Sequence, residues 1–113
     1  MQSPIPEVEV SQVPVDVPSD LAIVDVRENH EWAAGHIDGA LHIPMAQVPG
    51  RVDELPAGAR LIVVCRVGAR SGRVTGFLLQ QGRDAVNLAG GMLAWQRAGR
   101  AMSSESGTAP DVI

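Results

Sequence analysis

The chain contains a single cysteine, and its neighbours are those expected around a nucleophile. Cys65 ends the apolar run Leu61-Ile62-Val63-Val64 and is followed by Arg66-Val67-Gly68-Ala69-Arg70, after which Ser71 reads as the start of a helix. A lone cysteine after such a run is often an inert small hydrophobe. Three features favour the reactive alternative. The loop is rich in Gly and Arg rather than apolar residues. It feeds a helix whose first amides carry partial positive charge. Successive loop amides curled around a sulfur would form an anion-binding nest. Each of these moves a thiol toward the thiolate at neutral pH.

Charge distribution agrees. Net charge is −4 over 113 residues, which argues against nucleic-acid binding. All nine basic residues are arginine. Arg60, Arg66, Arg70, Arg73 and Arg83 fall in a window from Leu55 to Arg83 that contains no Asp or Glu. A cationic segment in an anionic protein suits a small anion better than a polymer. Arg60 and Arg83 can equally face solvent; that reading is weaker for Arg66 and Arg70, inside the loop.

Other chemistry is less well supported. His30, His36 and His42 lie outside the cysteine loop, and local hydrogen bonding is the simpler role for each. His30-Glu31 begins like a zinc-protease helix, but Ala34 occupies the position of the second histidine. A phosphate-binding P-loop needs a lysine. Gly90-Gly91 lacks the dinucleotide fingerprint, and Trp32 and Trp95 suit packing better than base stacking. No metal set and no cofactor are expected. One cysteine cannot form an internal disulfide. No run approaches the roughly 18 to 20 apolar residues of a membrane helix, and the N-terminus lacks a secretory pattern. A cytoplasmic location follows as the default expectation.

Short apolar strands alternating with helical stretches must position the loop. Glu7 to Val10, Leu21 to Val26, Ala40 to Ile43, Leu61 to Cys65 and Asp84 to Leu88 read as strands. Helices are expected over Arg27 to Ala34, from Pro49 to about Leu55, from Ser71 to a cap at Gly82, and over Met92 to Ala98. Gly35 is expected to close the first helix in the left-handed conformation. Gly72 and Gly76, inside the third helix, suggest close approach of its backbone to a neighbour. Residues 1–6 read as a flexible arm, 7–100 as one domain, and 101–113 as a disordered tail. This pattern implies an α/β fold with a mostly parallel sheet. Ligands in such sheets bind at the carboxyl ends of strands, where both Cys65 and Asp25-Val26-Arg27 lie.

Several segments, in order, make the chain resemble a single-domain rhodanese, a sulfurtransferase, from about Val8 to Gly99. They are Asp25-Val26-Arg27-Glu28; Glu31 with Gly35-His36-Ile37-Asp38-Gly39-Ala40 and Ile43-Pro44; Cys65 to Ser71; and Asn87-Leu88-Ala89-Gly90-Gly91-Met92 with Trp95. Val67 stands where the family often has a hydroxyl residue, and His42 where asparagine is common. The resemblance implies a five-stranded, mostly parallel sheet with helices on both faces and the active-site loop after the strand ending at Cys65. It also implies a persulfide cycle. Cys65 would take the outer sulfur of thiosulfate or a similar small anionic donor and pass it to cyanide or a thiol, a protein acceptor included. Arg66, Val67, Gly68, Ala69, Arg70 and Ser71 would bind the substrate, mainly through backbone amides, with Asp25 and Arg27 as supporting residues. A monomer is expected. Two alternatives remain open on sequence. One is a persulfide carrier dedicated to a protein partner. The other, disfavoured because four residues rather than five separate Cys65 from Arg70, is a phosphatase or arsenate reductase.

Overall fold

Five strands run side by side in one parallel sheet, in the order β1-β5-β4-β2-β3. This computed structural model describes residues 4–113. The strands are β1 (Glu7–Val8), β2 (Leu21–Asp25), β3 (Leu41–His42), β4 (Arg60–Val64) and β5 (Ala85–Leu88). The helices are α1 (Asn29–Ala34), α2 (Val48–Arg51), α3 (Ala69–Gln80) and α4 (Gly91–Arg97). Short 3-10 turns at Val10–Gln12, Met45–Gln47 and Val52–Glu54 complete the chain. No helix among the described residues is long and apolar enough to cross a membrane.

The central strands are apolar on both faces because both faces are covered, as parallel sheets require. Ile23, Ile62, Val64, Val86 and Leu88 pack with Met92 and Trp95 of α4. Val24, Leu61, Val63 and Ala85 pack on the other side with Val48 of α2 and with Val74 and Leu78 of α3. Strand order reverses at β2 and β4: the chain leaves β2 toward β3 on one side and returns to β4 on the other. At that switch point Asp25 pairs with Val64, and the Val26 amide donates to the Val64 carbonyl at 3.0 Å. The segments after β2 and β4 therefore leave the sheet side by side, which brings Arg27 and Cys65 to the same edge.

Two expectations need revision. The segment 101–113 is docked. Ser103 and His36 exchange backbone hydrogen bonds of 2.9 and 2.8 Å, the Glu105 and Asp111 amides donate to Ala33 and Ala34, and Val112 is buried in the core. Its polar composition hid this because most anchors are polar: main-chain groups, and the Glu105 and Asp111 carboxylates, which accept from Trp32 Nε1 and Gln96 Nε2. Gly35 is extended, with φ 176°, rather than left-handed. A side chain there would collide with the Asp111 carbonyl, so the glycine admits the docked segment. The expected close approach at Gly72 and Gly76 is present: a side chain there would meet Asn87 Nδ2 at 3.4 Å and Ile5 Cδ1 at 3.3 Å. The expected arm lies partly outside the described residues. Within it, the Pro6 carbonyl accepts a 2.8 Å hydrogen bond from the Asn87 amide.

Candidate active site

Cys65 follows the last residue of β4 and is fully buried. The chain then turns through Gly68, whose φ of 113° is a conformation other residues avoid. That turn sends the loop amides back toward the sulfur. The Gly68 N–H donates to Cys65 Sγ at 3.1 Å and the Ser71 hydroxyl at 3.2 Å. The amides of Ser71 and Val67 also face it. Burial alone would push the thiol up, but the Ser71 hydroxyl and the Ser71, Gly68 and Val67 amides outweigh it and hold the pKa below the usual thiol value. The group is thus a buried sulfur with a preference for negative charge, built from neutral donors.

The loop is held from outside through its carbonyls. The Met92 amide donates to the Cys65 carbonyl at 2.8 Å, and the Leu93 amide to the Arg66 carbonyl at 3.1 Å. The start of α4 thus draws loop oxygens away from the sulfur and leaves loop N–H groups facing it. The approach is so close that a side chain on Gly91 would overlap the Cys65 carbonyl and lie 2.7 Å from that of Arg66. Gly91 also has φ 57°. Gly91 therefore admits the cysteine loop against the start of α4.

The arginines differ from expectation. Arg70 is not a free cation: it grips Glu31 of α1 through two bonds of 2.7 and 2.9 Å. Arg70 holds the Glu31 carboxyl down at about 2, against the opposing effect of burial, with help from the Glu28 amide. Arg66 is exposed, and its Nε–H donates to the Ile113 carbonyl at 3.0 Å. Ala69 and Arg70 begin α3 and give Sγ no hydrogen bond among the described contacts. The window that is acid-free in sequence is not acid-free in space, because Glu31 arrives at Arg70 and Asp84 meets Arg60 at 3.2 Å. Arg83 instead donates to the carbonyls of Val52, Leu55 and Pro56.

Asp25 and Arg27 form an ion pair with both side chains fully buried, N to O 2.7 Å. Arg27 also donates to the Gly35 carbonyl at 2.7 Å, tying the end of β2 to the end of α1. α1 itself begins with a capping box, in which Glu31 accepts the Glu28 amide while also meeting Arg70. No histidine hydrogen-bonds to the sulfur among the described residues. His36 and His42 stack on the Trp32 ring at 3.7 and 4.7 Å and bond to the Trp32 and Arg27 carbonyls.

The structure brings Cys65, Val67, Gly68 and Ser71 together and leaves Ala69 and both loop guanidiniums directed elsewhere. Sequence reasoning passed over three contributors here: the Ser71 hydroxyl, Glu31 as the partner of Arg70, and Gly91 with the amides that follow it. A serine at the first turn of a helix that buries its face against the sheet was a usable signal for the first. Nothing in local spacing joins residues 31 and 70, or 65 and 91.

The rhodanese-like domain family model matches residues 13–98. A sulfurtransferase of Allochromatium vinosum is 43% identical over 81 residues, 71% of this chain and 76% of that protein. A thiosulfate sulfurtransferase of Shewanella oneidensis is 35% identical over 77 residues, 67% of this chain and 76% of that protein. Among solved structures, a rhodanese-like domain protein from Staphylococcus aureus superposes with a TM-score of 0.76 at 30% identity, covering 95% of this chain and 99% of that one. With its parallel sheet and its cysteine loop at the strand ends, this chain belongs to the rhodanese-like sulfurtransferase family.

Proposed function

We propose that the protein moves a sulfane sulfur from thiosulfate or a similar donor to a thiophilic acceptor through a persulfide on Cys65. The observation that carries this reading is the set of neutral donors on Cys65 Sγ, from the Gly68 amide and the Ser71 hydroxyl, which favours an anionic sulfur at that point. In the first step the Cys65 thiolate attacks the outer sulfur of thiosulfate. The new S–S bond forms as the bond to the sulfonate sulfur breaks, and sulfite leaves with the electron pair. In the second step cyanide attacks the terminal sulfur of Cys65–S–S⁻, thiocyanate departs, and the thiolate is restored. Neither step transfers a proton, so no general acid or base is required. Splitting the transfer in two is nucleophilic catalysis, and fixed dipoles that bear the charge need no reorganisation during it.

Cys65 is buried, so a donor reaches it only when neighbouring groups move. The test is thiocyanate formation from thiosulfate and cyanide, repeated across several sulfane donors. The native protein is expected to turn over and Cys65→Ser to be inactive. Undiminished turnover in Cys65→Ser would exclude the mechanism.

A further inference from the structure

Behind the cysteine loop, on the β5 side, lies a buried polar side chain with no place in the cycle above. Asn87 sits in β5, whose four residues are all buried, and is 4% exposed. Its Nδ2 donates to the Gly68 carbonyl at 3.0 Å and to Glu7 Oε2 at 3.3 Å. Its Oδ1 is buried without a hydrogen-bond partner among the described residues. Asparagine is a poor strand residue, and a buried acceptor left unpaired costs stability. An apolar residue here would avoid the unpaired Oδ1, so the amide carries a cost that its two hydrogen bonds must offset.

What the amide does is fix Gly68. That residue supplies an N–H to Cys65 Sγ, and as a glycine it has the widest backbone freedom in the loop. Its carbonyl is pinned twice, by the Gly72 amide at 3.0 Å within α3 and by Asn87 from the sheet. The first bond moves with the helix; the second refers Gly68 to β5, which is rigidly paired to β4 and hence to Cys65. We propose that Asn87 is a positioning residue that locks Gly68 in the one conformation aiming its N–H at the Cys65 sulfur. Glu7, paired in register with Asn87 on β1, orients the amide by taking its other proton. The turnover arm of this proposal rests on the sulfurtransferase reading; the thiolate arm does not.

The full chain, native and as Asn87→Val and Asn87→Asp, is titrated by following iodoacetamide alkylation against pH. With one cysteine in the chain, the signal belongs to Cys65 alone. Thermal midpoints and thiosulfate–cyanide kinetics are measured in parallel. Asn87→Val is expected to keep or raise the thermal midpoint, move the alkylation midpoint to higher pH, and lower kcat about tenfold with little change in KM, the equivalent of about one hydrogen bond. Asn87→Asp, isosteric but unable to donate, is expected to move the alkylation midpoint further the same way and decides the matter if the valine variant does not fold. Alkylation midpoints equal to the native one, with or without a loss of stability, would reduce Asn87 to a packing residue and overturn the proposal. If the native protein fails to turn over, the function proposed above falls, while the alkylation midpoints still decide the role of Asn87.

Discussion

Two strand ends meet at the switch point of the sheet, and they handle charge in opposite ways. At the end of β2, Asp25 and Arg27 are both buried and closed on each other, with the Gly35 carbonyl taking a further guanidinium proton. At the end of β4, Cys65 is equally buried but faces neutral donors rather than a cation. A formal cation beside the sulfur would bind the charge tightly in every state of the proposed cycle. Amides and a hydroxyl can serve the thiolate, the persulfide and a departing anion alike. The formal charges near the loop are spent on structure: Arg70 on Glu31, Arg27 on Asp25. The comparison separates groups that hold the edge together from groups left available to a reaction.

Removing one partner from the closed end should do the most damage to the fold. Asp25→Asn leaves Arg27 buried without its counter-charge and is expected to cost about 3–5 kcal/mol of stability in denaturant unfolding. A loss below about 1 kcal/mol would mean that Gly35 and its neighbours alone can carry the guanidinium. The open end should respond in reactivity and not in stability. Ser71→Ala removes a hydrogen bond to the sulfur, a class worth about 1.5–3 kcal/mol when one partner is charged. Sulfur transfer near neutral pH should fall roughly ten- to a hundredfold, and the alkylation midpoint of Cys65 should rise. An unchanged midpoint would show that the amides suffice without the hydroxyl.

The smallest expected effect is at the pair that spans the two regions. The Glu31 carboxyl is depressed in the folded protein to about 2, chiefly by Arg70. A carboxyl lowered on folding contributes stability above its unfolded pKa and loses it as pH falls through the folded value. That contribution is therefore complete above about pH 5 and gone near pH 2. Glu31→Gln should flatten the acid limb of the stability curve between those limits and leave Cys65 reactivity at neutral pH nearly unchanged. A large loss of reactivity would place Arg70 in the transfer itself.

Much of this was legible in the chain. Continuous apolar runs at Leu21 to Val26 and Leu61 to Cys65 marked doubly covered strands, and their alternation with helices set the parallel sheet. The cysteine loop could be read because its parts are consecutive: a strand end, a glycine, a helix start. What could not be read depends on contacts between distant residues. Glu31 neutralises Arg70 across 39 positions, and Asn87 reaches Gly68 across 19. The segment 101–113 carries few apolar residues, so composition pointed to disorder, although backbone bonds to Ala33, Ala34 and His36 hold it in place. Charge counted along the sequence overstated the cationic field at Cys65 for the same reason.

The central claim is that the sulfur at the open strand end accepts and carries a second sulfur. Mass spectrometry of the intact protein after incubation with thiosulfate and removal of excess donor tests it directly. The account predicts one added sulfur atom, localised to Cys65, lost on addition of cyanide and absent from Cys65→Ser. An unmodified mass, in a protein whose Cys65 is still alkylated by iodoacetamide, would contradict it.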